Sequence, residues 1–146
     1  MRKSILPTIL MLCFCCAAST GLFSQQSLFS FEQYHNGKGD TLRYRQLVPD
    51  YGPIKKFPLV VFLHGSGERG NDNEAQLKWG VMNFATDENM KRYPAIVIAP
   101  QCPAGMNWSN FSGRDKLELS LQPVPTKPME LLIELIKKTV KTLPID

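Results

Sequence analysis

The chain has 146 residues, 17 Lys and Arg against 13 Asp and Glu, and is 43% hydrophobic and 21% charged, with a formal net charge of +4. This composition is that of a globular protein and excludes a disordered tail or a repeat array. The basic residues gather at most in pairs such as Lys55–Lys56 and Lys137–Lys138, which argues against a nucleic-acid partner.

At the amino terminus, Arg2 and Lys3 precede an apolar stretch from Ile5 to Ala18, and Ala17, Ala18 and Ser19 offer small residues for cleavage. Together they predict an export signal over 1–24 and a mature domain over 25–146, secreted or periplasmic. Pro7 interrupts the stretch, and its length falls short of the roughly 20 apolar residues a membrane span needs, so no membrane span is expected in the mature chain. Three of the four cysteines (Cys13, Cys15, Cys16) lie in this signal, leaving Cys102 alone. An intrachain disulfide framework is thereby excluded, and stability must come from packing.

Two segments, Ser27 to Tyr34 and Thr41 to Val48, alternate apolar and polar side chains around the turn-forming 35–40 stretch, which predicts an antiparallel hairpin. After the break at 49–53, Phe57 to Leu63 runs apolar without alternation, as a strand covered on both faces does. A second such run spans Ala95 to Ala99. Between them a helix is expected from Asp72 or Asn73, with Leu77, Val81 and Phe84 at helical spacing and Gly80 weakening it. Strand, helix and strand in this order predict a βαβ crossover.

From Cys102 to Pro125 the chain reads as irregular. The clearest element follows, with Thr126 as its cap, Pro128 in the first turn, and Met129, Leu132, Ile133, Ile136, Val140 and Leu143 assigned to one face. Glu130 and Glu134 lie early and Lys137, Lys138 and Lys141 late, as the helix dipole favours. Pro144 ends it. Because such a helix ordinarily leads into another buried strand, the expectation is an α/β fold that breaks off early.

The segment with chemistry in it is His64-Gly65-Ser66-Gly67-Glu68-Arg69-Gly70, directly after the first apolar strand. Glycines there let the backbone turn and present N–H groups to a substrate, as an oxyanion-hole loop does. Read instead as G-x-G-x-x-G, the same glycines suggest a dinucleotide fingerprint. The polar Asn71-Asp72-Asn73-Glu74 that follows and the Pro100-Gln101 ending of the next strand speak against that reading.

From about Leu47 onward the chain resembles secreted bacterial α/β hydrolases of the predicted peptidase, phospholipase/carboxylesterase and feruloyl-esterase group. The resemblance rests on the stretch from Leu59 to Gly70, on Asn71-Asp72-Asn73, on Ala99-Pro100-Gln101-Cys102-Pro103 and on Trp108. It implies the amino-terminal part of an α/β-hydrolase fold: an antiparallel hairpin, then parallel strands with crossover helices, stopping before the nucleophile strand. It further implies that Ser66 supplies an oxyanion N–H within the His64, Gly65, Ser66, Gly67 loop, that His64 shapes that loop, and that Gln101 and Trp108 lie near the substrate pocket. Glu68 is a further substrate-binding candidate, alone or paired with Arg69 at the mouth. No cofactor and no metal are implied, and the partner of a full-length relative is a small-molecule or polymer ester.

A serine hydrolase needs a G-x-S-x-G nucleophile, an acid and a histidine in that chain order. No serine here has glycines at that spacing, and His35 and His64 both precede any position the elbow would occupy. The expectation is therefore a carboxylic-ester hydrolase by family that is inactive as this chain, of low solubility when expressed alone. The alternatives are a non-catalytic secreted binding module using the Trp108 loop and a nucleotide-binding protein using the glycine loop.

Overall fold

A computed structural model describes residues 25–50, 56–112 and 119–146. The expected export signal, and 51–53 of the expected break, lie outside the described residues. The predicted hairpin forms from β1 (Ser30–His35) and β2 (Thr41–Leu47), paired antiparallel from Ser30 opposite Gln46 to His35 opposite Thr41. Its turn uses Gly37 and Gly39 at φ of 74° and 95°, a region that only glycine enters without cost. Asn36 Oδ1 accepts the Lys38 and Asp40 N–H groups at 2.8 and 3.2 Å, closing the turn from inside.

The two apolar runs become β3 (Leu59–Val61) and β4 (Ile96–Pro100), which pair in parallel, while β4 also pairs antiparallel with β2. The resulting four-stranded mixed sheet has the order β1-β2-β4-β3. All of β4 is buried, as its unalternating sequence requires of a central strand covered on both faces. On the far side of β3, Phe57 forms a parallel bridge with Ile145. Phe57 N–H donates to Pro144 O at 2.9 Å and Asp146 N–H to Phe57 O at 3.0 Å, whereas Pro58 O faces β4 and accepts from Ile96 N–H. Ile145 thus sits on the edge of β3 opposite β4.

The segment between β3 and β4 is a correction to the expected helix. It makes 3-10 turns at Ala75–Leu77 and Val81–Ala85, and only then a short helix, α1 (Asp87–Arg92). Gly80 stands between the turns at φ 78°, outside helical space, and resets the chain direction there. The apolar positions still reach the core: Leu77 and Val81 are buried and Phe84 packs on the same cluster with Phe29, Leu47, Val97 and Ala99. Thr86 caps α1 by accepting the Asn89 N–H at 3.2 Å.

The opposite face of the sheet is covered by α2 (Lys127–Thr142), whose start follows the predicted cap: Thr126 Oγ1 accepts the Met129 N–H. Its buried face, however, is Pro128, Leu131, Leu132, Leu135 and Thr139, packed on Leu42, Tyr44 and Ile98, with Met129 and Ile136 at the margin. Of the face assigned from sequence only Leu132 is buried; Ile133 and Val140 are exposed. The apolar arc of α2 is wider than one sheet face covers, and the sheet takes the half centred on Leu131 and Leu135. Each fully buried leucine there contributes about 1.5–3 kcal/mol. The stretch expected to be wholly irregular carries a small antiparallel hairpin, β5 (Phe111–Ser112) with β6 (Ser120–Leu121).

Candidate active site

The carboxyl ends of the parallel strands β3 and β4 lie side by side, the position where open α/β sheets place their ligands. His64 leaves β3 there and is buried. The Cys102 backbone N–H donates to His64 Nε2 at 2.9 Å, so the hydrogen-bond network puts the ring proton on Nδ1, which faces Gly65 O at 2.6 Å. Neither nitrogen is left for proton transfer. His64 is a clamp between the two strand ends, and Trp108 packs edge-on against its ring at 5.6 Å between centroids.

Gly65, Ser66 and Gly67 are exposed, and Ser66–Glu68 forms one 3-10 turn. The first N–H groups of such a turn have no partner within it, and the loop is fixed at its base by His64. Beyond it, Gly70 N–H donates to Cys102 O at 3.0 Å. A side chain at Gly70 would meet Gln101 Nε2 at 3.0 Å, which is why this position of the loop takes glycine.

Gln101 is buried beneath the loop rather than open to it. Its Nε2 donates to Glu68 O at 3.1 Å and to Asp72 Oδ1 at 2.8 Å, and its Oε1 accepts the Asn73 N–H at 2.7 Å. Asn73, at φ 58° and buried, donates from Nδ2 to Tyr44 O at 3.0 Å and accepts at Oδ1 from Gln76 Nε2 at 2.7 Å. Arg45 enters from β2, donating to Phe29 O at 3.1 Å, Gln26 O at 3.0 Å and Asn73 O at 3.5 Å, with its guanidinium 3.5 Å over the Phe31 ring. Burial holds the Arg45 guanidinium below its usual range, with Glu74 opposing. Four buried polar side chains therefore tie the loop to β2 and β4. Sequence reading named Asn73 only within the Asn71-Asp72-Asn73 stretch and as one start of the expected helix, gave it no role at the site, and did not name Gln76; the left-handed tolerance of asparagine is the one hint of what Asn73 does.

Asp72 anchors the same turn. The Ala75 and Glu74 backbone N–H groups, with the Gln101 amide, bind its charged form and hold the carboxyl below the ordinary range, against a smaller opposing effect of burial. Burial pushes the free Cys102 thiol up, with Arg69 opposing. Arg69 donates to Asn107 Oδ1 at 2.5 Å, and the Glu68–Arg69 pair considered from sequence is not formed.

A cleft of about 280 Å³ opens beside the loop, walled by Phe62, Leu63 and Trp79 and edged by His64, Gly65, Glu68 and Gln76. The structure thus gathers His64, Gly65 and Glu68 around one space, with Ser66 and Gly67 on the adjoining turn. Gln101 sits under it, and Trp108 packs into the core facing α2. Trp79, exposed at the rim, lies off the helical spacing of Leu77, Val81 and Phe84 and carried no signal in the sequence. Among the described residues no cluster of His, Cys, Asp and Glu is placed to hold a metal, and no helix is long and apolar enough to cross a membrane.

The chain is similar to a thermostable esterase of known crystal structure, with 35% identity and a TM-score of 0.72. The likeness covers 84% of this chain and 33% of the esterase, so the chain spans about a third of the length of that protein. No protein-family model and no curated protein sequence matches it. The mixed sheet, its crossover and this likeness fit an α/β-hydrolase-like fold.

Proposed function

We propose that this chain carries the oxyanion-loop side of a secreted serine carboxyl-ester hydrolase of the peptidase, phospholipase/carboxylesterase and feruloyl-esterase group. The observation that carries the reading is the loop His64–Gly67 standing at the carboxyl end of β3, in a chain 35% identical to an esterase over most of its own length. The chemistry fits the geometry. Acyl transfer develops negative charge on the carbonyl oxygen, and backbone N–H groups on a preorganised turn stabilise it without reorganising. The buried network of Arg45, Asn73 and Gln101 supplies that preorganisation, with Ser66 N–H as the donor.

In this reading the nucleophilic serine, the acid and the catalytic histidine belong to a part of the hydrolase outside residues 1–146. His64 has both ring nitrogens engaged, and His35 pairs through Nδ1 with Thr41 Oγ1 at 2.9 Å in the exposed hairpin. The chain by itself is then inactive on esters. The export signal over 1–24 directs it to a secreted or periplasmic place, and the substrate is a small-molecule or polymer ester. The glycine-loop reading as a nucleotide site gains no support, since a 3-10 turn and not a helix follows the glycines.

The test is to read the nucleotide sequence downstream of codon 146 in all three frames for a strand followed by G-x-S-x-G, then to assay both chains on p-nitrophenyl acyl esters. Hydrolysis by the longer product, lost on Ser→Ala at the elbow and absent from residues 1–146, is the expected result. No elbow and no hydrolysis in either chain leaves the non-catalytic binding module as the reading to pursue.

A further inference from the structure

The turn of the β1–β2 hairpin holds the one asparagine of the chain that precedes a glycine, Asn36-Gly37. In such a pair the glycine nitrogen belongs to a residue with no side chain to shield it, and its attack on the asparagine Cγ closes a five-membered succinimide ring. The fold adds to this local chemistry. Among the described residues the Gly37 N–H has no hydrogen-bond partner, and nothing lies within 4 Å of the place a Cβ would take there. Asn36 Oδ1 reaches the Lys38 N–H at 2.8 Å, which closes an Asx turn and folds the side-chain amide back along the Gly37 peptide. The same oxygen takes the Asp40 N–H at 3.2 Å. Two backbone donors fixed by the hairpin therefore stand on the atom where the negative charge of the attack collects.

Asp40 holds the other half of the amide, its Oδ2 accepting from Asn36 Nδ2 at 2.8 Å beside the group that must leave. We propose that Asn36 is a modification site, converted with the help of its own turn through a succinimide to aspartate and isoaspartate. The Gly37 nitrogen gives its proton to solvent and forms the bond to Cγ; the Cγ–Nδ2 bond breaks, and Nδ2 takes up a proton and departs as ammonia. Water then opens the ring at either carbonyl, so the chain loses ammonia and gains water, with nothing oxidised or reduced. The product differs from the parent close to where α2 begins. A carboxylate at position 36 faces the Asp40 carboxylate in place of a donor, with Lys127 Nζ, 3.8 Å from Asp40 and 2.8 Å from Glu130, as the nearby cation. Isoaspartate also adds a methylene to the main chain, at the residue whose N–H donates to Asp40 O at 3.3 Å. Both products loosen the turn, and isoaspartate disturbs the pairing of β1 with β2 as well.

The experiment incubates the full chain at neutral pH, folded and in guanidinium chloride, with circular dichroism to establish each state. Peptide mass spectrometry follows every asparagine, and isoaspartate-specific methylation gives a second readout. Asn36 is expected to convert about tenfold faster in the folded chain than in the unfolded one, the effect of about 1.4 kcal/mol off the barrier. It is also expected to outpace every other asparagine of the folded chain. Asn36→Gln, which cannot close the five-membered ring, is expected to remove most of the isoaspartate signal. An equal or slower rate at Asn36 in the folded chain means that the hydrogen bonds of the turn restrain the amide rather than activate it, and overturns the proposal. An isoaspartate signal that Asn36→Gln leaves unchanged places the reaction elsewhere and overturns it too.

Discussion

One connection leaves β3 and another leaves β4, and the two treat polarity in opposite ways. The first, from His64 to Gln76, is held by buried polar side chains almost fully paired, with backbone of β2 and β4 at Tyr44 and Ala99 and otherwise with the loop and one another. The second carries the β5–β6 hairpin, where Phe111, Leu119 and Leu121 are exposed, two of them at 66%. A buried polar group is costly unless it is hydrogen-bonded, so the first connection keeps a single geometry. Exposed apolar side chains on two short strands define no such geometry. The loop after β3 is fixed by buried polar pairing, whereas the β5–β6 pair after β4 keeps apolar side chains exposed.

The sharpest way to break this contrast is at Asn73. Asn73→Ala removes the bonds to Tyr44 O and Gln76 Nε2 and puts a Cβ-bearing residue without a local hydrogen bond at φ 58°; a loss of about 2–4 kcal/mol is expected in urea unfolding. Asn73→Gly keeps the backbone conformation, so it should lose about 1 kcal/mol less, and equal losses would show that the φ value does not matter.

Acid probes the same loop more gently. Since the Asp72 carboxyl is held below its ordinary value, it adds stability that is complete above the unfolded value of about 3.9 and is lost as pH falls through the folded one. Asp72→Asn should flatten the acid limb of the urea midpoint against pH; an unchanged limb would remove Asp72 from the account. The smallest effect belongs to the β5–β6 hairpin. Leu119→Ser with Leu121→Ser should shift stability by no more than about 0.5 kcal/mol while raising solubility, and a large loss would mean that the hairpin is part of the core.

What the sequence disclosed follows from which signals are local. Thr126, Pro128 and the charge gradient marked α2 because capping and dipole effects act within a turn or two. The side of α2 that is buried depends on the sheet beneath it, and Leu131 and Leu135 won that place from Ile133 and Val140 through tertiary packing. Between Asn73 and Ala85 the apolar spacing was helical while the backbone was not, since Gly80 at φ 78° broke the helix and left Leu77 and Val81 in the core. At the candidate site, the glycines announced a loop at a strand end. The residues that fix it are single asparagine and glutamine side chains, meaningful only once β2, β4 and the loop are side by side.

The bridge between Phe57 and Ile145 has a consequence in time. The β1–β2 hairpin pairs neighbours in sequence and forms as soon as both strands exist, whereas the outer edge of β3 waits for residues made much later. At ordinary rates of synthesis that interval is on the order of ten seconds, during which the backbone of an apolar strand stands open to any passing partner. A nascent chain of this design has reason to be escorted by a chaperone until Ile145 arrives.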